Sequence, residues 1–238
     1  MKKTTLMAIL LLFAHALSAQ EGTTYLGFNL GFTEPTEYYR ANGLSDNLSK
    51  FVMNGVKVGF IYETNIIKGF GVSMSLNYAF AAHAGKYEAA TGMTAYTTRE
   101  DRTFHYLELP VDWQYKFLIA KHTYLAVYTG PTLQVGLSYA QRNRSKLGET
   151  IITDDRVNLY KVDEDHDDII DRNRLNVTWG VGLGLQYKRF FIRGGYDFGI
   201  MPMYRDRFFN YSANDGWNRK GRLDQWQIKL GIYLWELQ

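Results

Sequence analysis

Four aspartates with regular spacing form the densest group of possible ligands in the chain. They are Asp163, Asp165, Asp167 and Asp171, at relative positions 1, 3, 5 and 9 of one acidic segment. Calcium is held by about six to eight oxygen atoms on a tightly turning backbone, and alternating carboxylates supply such oxygens. The spacing therefore predicts a candidate calcium site in segment 163–171.

The same segment departs from well-known calcium loops at two positions. It resembles the loops of EF-hands and of thrombospondin type 3 repeats, but Asp168 replaces the turn glycine and Arg174 replaces the bidentate glutamate. The alternative is a solvated acidic loop, or one that pairs with the arginines Arg142, Arg144, Arg156 and Arg172. Calcium is the one cofactor that the sequence suggests, since the chain has no cysteine and no phosphate-binding glycine motif.

The histidines and serines do not form a recognisable catalytic set. Hydrolytic catalysis needs a nucleophile or an activated water beside a positioned base. Four histidines follow the N-terminal region, His83, His105, His122 and His166, and none has a serine two residues away. We therefore predict that the protein is not an enzyme and has no catalytic residues.

The first nineteen residues have the pattern of a cleaved export signal. Lys2 and Lys3 precede an apolar run of 12 residues at 6–17, which is too short to cross a bilayer as a helix. Residues 1–19 are predicted to be a signal peptide and residues 20–238 a single domain. Removing both lysines leaves 25 basic and 24 acidic side chains. This balance does not favour a nucleic-acid partner.

Beyond the signal, apolar side chains recur at every second position. From Phe70 to Ala81 the even-numbered positions are apolar and the odd-numbered ones are small or polar. Period two is typical of a β-strand with one apolar face. The pattern recurs in seven further segments: 26–32, 56–62, 107–115, 125–139, 175–187, 190–200 and 226–234. The sequence predicts an all-β protein with eight strands.

Long and short connections alternate between these strands. Residues 33–50, 83–102, 140–173 and 203–222 are long and polar, whereas 63–69, 118–122 and 188–189 are short. Outer-membrane barrels have this alternation, with short periplasmic turns and long external loops. We therefore predict an eight-stranded antiparallel transmembrane β-barrel with four long external loops, inserted in the lipid of a Gram-negative outer membrane.

Aromatic residues on the apolar faces support the same prediction. Near the external ends of the strands lie Phe32, Tyr78, Phe80, Tyr139 and Trp226. Near the periplasmic ends lie Tyr62, Phe70, Trp113, Tyr115, Phe117, Tyr187 and Phe190. Aliphatic residues occupy the middle. Two aromatic girdles around an aliphatic band are typical of membrane barrels.

The opposite faces of the strands predict a polar barrel interior. By parity its charged residues are Lys57, Glu108, Asp112, Arg193, Asp197 and Lys229. Eight strands leave an interior that side chains can fill. Buried charges need partners, so we expect a plug of ion pairs. A narrow gated ion path is the alternative.

Several strand motifs resemble one bacterial family. Residues 106–111 read YLELPV and resemble the YLEIP-type strand of the Bacteroidota outer-membrane β-barrel family, the PorT-like group. Segments 130–131, 179–184, 193–199 and 230–233 are similar to its later strands. The resemblance implies an outer-membrane location in Gram-negative Bacteroidota. PorT itself is tied to type IX secretion machinery.

These observations together indicate a non-enzymatic barrel that is structural, binds a partner or serves as an accessory subunit of an envelope complex. A component of a type IX-like secretion machine is the alternative. A small barrel enzyme acting on lipid A and a narrow ion channel are less favoured. The expected partners are outer-membrane lipid and envelope or secretion-complex proteins.

Overall fold

The computed structural model describes residues 23–39, 49–67, 69–89, 96–161, 172–203 and 221–237. These residues contain the strands β1 Thr24–Tyr39, β2 Ser49–Val52, β3 Asn54–Ile67, β4 Phe70–Ala84, β5 Glu88–Ala89, β6 Tyr96–Ala120, β7 Thr123–Leu147, β8 Thr150–Asn158, β9 Leu175–Tyr187, β10 Phe190–Gly199 and β11 Arg222–Leu237. The described part has no helix that is long and apolar enough to cross a membrane. The predicted signal peptide lies outside it.

Eight of the strands form a closed antiparallel ring. The order around the ring is β1, β3, β4, β6, β7, β9, β10 and β11. Pairing from Thr24↔Leu237 to Tyr38↔Arg222 joins β11 back to β1. Closure pairs the backbone groups that would otherwise form two free sheet edges. The predicted eight-stranded antiparallel barrel is confirmed.

The two faces of the ring have opposite chemistry. Outward side chains are apolar and exposed, as Leu30 at 63% and Leu230 at 60% illustrate, whereas inward Lys57 is only 1% exposed. A protein surrounded by water has the reverse arrangement. A continuous exposed apolar band is what the hydrocarbon of a membrane requires. The ring strands therefore span the membrane.

Aromatic side chains border the apolar band, with one exception to the prediction. Tyr139 is 1% exposed and stacks inside the barrel on Phe104, so its expected place on the lipid face is wrong. The pairs Tyr106↔Gly136 and His105↔Ser138 leave Leu137 as an extra residue on β7. A one-residue bulge reverses the faces of all later positions on its strand.

Two prolines interrupt the sheet without changing its register. The pairing between β4 and β6 is interrupted at residues 109–110. The pairing between β6 and β7 is interrupted at residues 111–112, opposite Pro131. Proline cannot donate to the ladder. A Cβ at Gly130 would lie 2.0 Å from the Val111 carbonyl oxygen, so the two backbones approach closely beside this gap.

The long connections contain more strand than the sequence predicts. β6 and β7 have 25 residues each, whereas about 9–11 tilted residues cross a membrane. Their pairing continues to Tyr96↔Leu147, and β5 and β8 add to its edges. Much of the described part of 83–102 and 140–173 is therefore strand rather than loop. These strands have polar residues on both faces, because neither face meets the hydrocarbon of the membrane, and the period-two pattern is therefore absent. We call β5, β8 and residues 96–103 and 140–147 the external sheet.

Candidate functional site

A central cluster in the lumen is built around Glu108. Lys57 Nζ on β3 donates to Glu108 on β6 at 2.5 Å, and Gln225 Nε2 on β11 donates to the other oxygen at 2.7 Å. Lys57 also donates to Gln227 at 2.9 Å, and the Gln227 amide donates to Asp197 on β10 at 2.8 Å. All five side chains are buried. The central cluster therefore joins four strands across the lumen.

A lower cluster, nearer the short turns, is built around Glu63. Arg193 and Lys116 both form ion pairs with its carboxylate, and the Tyr233 hydroxyl donates to it at 2.6 Å. Arg193 also donates to Ser73 at 2.8 Å. Glu63 is 0% exposed. Two cations and a hydroxyl supply the partners that a buried carboxylate needs.

All six charged residues expected in the interior face it. Lys57, Glu108, Arg193 and Asp197 belong to the hydrogen-bonded clusters described above. Asp112 and Lys229 are 5% and 4% exposed. Neither makes a hydrogen bond with its charged group within the described part of the chain.

The sequence reasoning missed Glu63 and Lys116. The predicted connection 63–69 includes Glu63, and Lys116 directly follows the predicted strand 107–115. Both continue the period-two pattern of their strands, from Lys57 to Glu63 and from Glu108 to Lys116. Extending the alternation to the last residue of each strand would have found them.

Charge is balanced within the described lumen. Four cations, Lys57, Lys116, Arg193 and Lys229, face four carboxylates, Glu63, Glu108, Asp112 and Asp197. Large side chains fill the space between them. A Cβ at Gly182 would lie 2.2 Å from the Tyr128 ring, so this glycine makes room for the tyrosine. The interior of an eight-stranded barrel is just wide enough for such filling.

A mouth cluster lies beyond the apolar band, at the end with the long connections. Its centre is Glu37, five residues after Phe32, which accepts hydrogen bonds from Arg102 at 2.8 Å, Arg172 at 3.0 Å and the Tyr139 hydroxyl. Burial raises the pKa of Glu37, but Arg172 and Arg102 outweigh it and hold the pKa below its ordinary value. Glu37 is therefore a carboxylate at neutral pH.

A small cavity lies under the mouth cluster. Its volume is about 20 Å³, and its lining includes Gln134, Tyr139, Tyr160, Arg172 and Asn176. A volume of this size holds about one water molecule. It does not admit an organic ligand.

Three of the four histidines that follow the N-terminal region have described positions. His83 lies at the end of β4, not in a loop as predicted, with Nδ1 2.9 Å from the Val52 carbonyl oxygen. His105 Nδ1 is 2.7 Å from the Tyr78 hydroxyl on the lipid-facing side. His122 occupies a two-residue turn with a φ of 60°. Among the residues with described positions, none of these three contacts a serine by hydrogen bond.

The predicted calcium ligands Asp163, Asp165, Asp167 and Asp171 lie outside the described residues. Within the described ranges, no group of three His, Asp or Glu side chains is arranged to hold a metal ion. The calcium site stays a prediction. Calorimetric titration of the purified barrel with calcium tests it, and no heat at millimolar metal would end it.

A match that covers most of the chain identifies its family. A model of the outer membrane protein beta-barrel domain matches residues 19–205. The chain belongs to this family. Its location is therefore the outer membrane, where the short turns of such barrels face the periplasm and the long connections face outward.

Solved structures with a similar arrangement include other outer-membrane proteins. Ail of Yersinia pestis, in complex with the heparin analogue sucrose octasulfate, is 13% identical, with a TM-score of 0.42 over 90% of this chain and 99% of that chain. Neisserial surface protein A is 12% identical, with a TM-score of 0.37 over 87% and 97% of the two chains. No sequence among curated proteins matches the chain.

Proposed function

We propose that this outer-membrane barrel is a non-enzymatic binding protein whose lumen is closed to ions and whose external sheet contacts a partner. The observation that carries the proposal is the cross-linking of the lumen by the central and lower clusters. Lys57, Glu108 and Gln227 join side chains from three strands at mid-height. A permeant ion would have to break these contacts, and breaking buried ion pairs is costly.

Electrical recording tests the closed lumen. The purified full chain is inserted into planar bilayers, with a wide porin in the same lipid as the positive control. We expect no current steps from the barrel under conditions where the porin conducts. Reproducible steps whose size changes in a Lys57→Ala variant would overturn the proposal, because they would show ions passing the central cluster.

A second candidate is an accessory subunit of an envelope complex, such as a type IX-like secretion machine. Leu147, Ile151 and Ile152 at the tip of the external sheet are 54%, 52% and 52% exposed. Apolar side chains grouped beyond the membrane band are typical of a protein contact. The resemblance of residues 106–111 to the PorT-like group favours a secretion partner in a Bacteroidota envelope.

A pull-down from the native outer membrane in mild detergent distinguishes the two. Stoichiometric envelope proteins that are lost when Leu147, Ile151 and Ile152 become serine would support the accessory subunit. The matched control is serine at Lys121, Lys188 and Arg189 on the other side of the membrane. A barrel that purifies alone in all three forms would favour a free-standing surface role.

A further inference from the structure

The outward side of the external sheet carries an excess of positive charge. Three rows of side chains cross β6, β7 and β8 on this side: Asp101–Arg142–Arg156, Arg99–Arg144–Asp154 and Thr97–Lys146–Ile151. β6 runs without a bulge from the lipid-facing His105 to this surface, so both share one side of the strand. Five cations and two carboxylates give the surface a net charge of +3. We call it the outer basic face.

Two pairs of arginines lie directly opposite each other on this face. Arg142 is paired with Arg156, and Arg99 is paired with Arg144. Like charges directly opposite each other destabilise a sheet. The repulsion is relieved only in part, because Asp101 bonds Arg99 at 2.8 Å and Arg144 at 3.0 Å.

The exposed charged side chains of this face are Arg142, Asp154 and Arg156. Asp154 accepts two hydrogen bonds from Arg142, one from Nε at 2.5 Å and one from Nη2. Arg156 is exposed and has no carboxylate within ion-pair distance in the described part of the chain. Because Asp154 already binds Arg142, the position for a further anion on this face is beside Arg156. Arginine is suited to that anion, because its planar guanidinium binds phosphate through two parallel hydrogen bonds.

The height of the outer basic face above the membrane hydrocarbon indicates which molecules supply the anion. Arg142 pairs with Asp101, which lies four residues beyond His105. At about 3.3 Å per residue and a tilt of about 40°, this is about 10 Å above the aromatic border, at the level of the lipid headgroups. We propose that the outer basic face binds phosphate groups of lipids in the outer leaflet. This inference rests on the membrane location and not on the protein partner proposed above.

Binding of a phosphorylated lipid to the full chain tests the inference. The barrel in neutral detergent is titrated with diphosphorylated lipid A and, separately, with the dephosphorylated lipid, and bound lipid is counted by native mass spectrometry. Changing Arg142 and Arg156 to glutamine should weaken binding of the phosphorylated lipid about tenfold, as expected for losing hydrogen bonds to a charged group. The control is glutamine at Lys188 and Arg189, which removes the same charge at the opposite end.

Three results would overturn the inference. The first is an equal loss of affinity in the control variant. The second is binding of the dephosphorylated lipid as tightly as the phosphorylated one. The third is complete displacement of the lipid by an equal concentration of inorganic phosphate, which would show a site for free anions.

The single variant Arg156→Gln provides a second measurement if the double variant does not fold. Without lipid, it should raise the midpoint of unfolding, because it removes the repulsion from Arg142. With phosphorylated lipid, its affinity should fall. A lower midpoint together with unchanged affinity would show that Arg156 is only structural, and it would overturn the inference.

Discussion

The lumen and the outer basic face use the same kinds of charged residues in opposite ways. In the lumen, Glu63 and Glu108 are 0% and 2% exposed, and each accepts several hydrogen bonds. On the outer basic face, the Asp101 and Asp154 side chains are 18% and 33% exposed. Water reaches the charges on the outer face, whereas the buried charges of the lumen depend largely on other side chains for hydrogen bonds and ion pairs. The difference in burial therefore decides what each ion pair contributes.

The ratio of positive to negative side chains also differs between the lumen and the outer basic face. In the described part of the lumen, four cations face four carboxylates, so their charges balance. The outer basic face places five cations around two carboxylates, which leaves charge for a ligand. Balanced and buried charges are consistent with the proposed closed lumen, whose side chains pack in a single arrangement. Unbalanced charges that water can reach are consistent with the binding of an anion by the outer basic face.

The largest effect is expected from Glu63→Ala. The substitution leaves Arg193 and Lys116 buried without their carboxylate, and losing one partner of a buried ion pair costs about 3–5 kcal/mol. The measurement is the free energy of unfolding in urea for barrels folded into lipid vesicles. Asp112→Asn is the matched control, because Asp112 is buried in the same lumen without a hydrogen bond. Equal losses in the two variants would contradict the role of the lower cluster.

Lowering the pH should destabilise the mouth cluster by protonating the Glu37 carboxylate. Its folded-state pKa is below the value of 4.5 expected for the unfolded chain, because Arg172 and Arg102 outweigh the effect of burial. The stability from this depressed pKa is present above about pH 4.5 and is lost as the pH falls through the folded-state pKa.

Unfolding in urea between pH 6 and pH 3 measures this effect. The wild type should lose more stability than Glu37→Gln over this interval, since glutamine does not titrate. Phe32→Leu, a lipid-facing change, is the control and should keep the pH dependence of the wild type. Parallel curves for the wild type and Glu37→Gln would show that Glu37 does not contribute to the acid response.

The alternation of apolar and polar residues predicts most of the barrel strands, because every spanning strand has lipid on one side and a polar lumen on the other. The inward direction of Lys57 and Arg193 follows from this contrast alone. Partners such as Lys57 and Gln227 lie 170 residues apart in the chain, so no local pattern connects them. Their contact depends on ring closure and on strand stagger.

The errors have physical causes at particular positions. Leu137 forms a bulge, so parity wrongly predicts the lipid face for Tyr139, whose hydroxyl in fact donates to Glu37. Residues 96–103 form strand beyond the hydrocarbon of the membrane, so no apolar alternation marks them. The sequence indicates Arg142 and Arg156 only as partners of the acidic segment 163–171. Arg142 lies directly opposite Arg156 because of the pairing register between β7 and β8, which no local sequence pattern predicts.

The smallest effect is expected from Asp101→Asn on the outer basic face. The side chains of Arg99 and Arg144 are 29% and 24% exposed, so water replaces the lost carboxylate, and the free energy of unfolding should fall by at most about 1 kcal/mol. The asparagine oxygen can still accept the hydrogen bond that the Gly85 N–H donates to Asp101. Unfolding in urea measures the loss, and about 1 M salt should abolish it, because salt screens exposed pairs.

The same substitution makes the contrast with the lumen quantitative. Asp101→Asn raises the net charge of the outer basic face from +3 to +4, so binding of phosphorylated lipid should become tighter while stability hardly changes. Glu63→Gln, its counterpart in the lumen, should destabilise the barrel at both low and high salt and leave lipid affinity unchanged. A salt-independent loss above about 2 kcal/mol for Asp101→Asn would mean that the outer basic face is structural like the lumen.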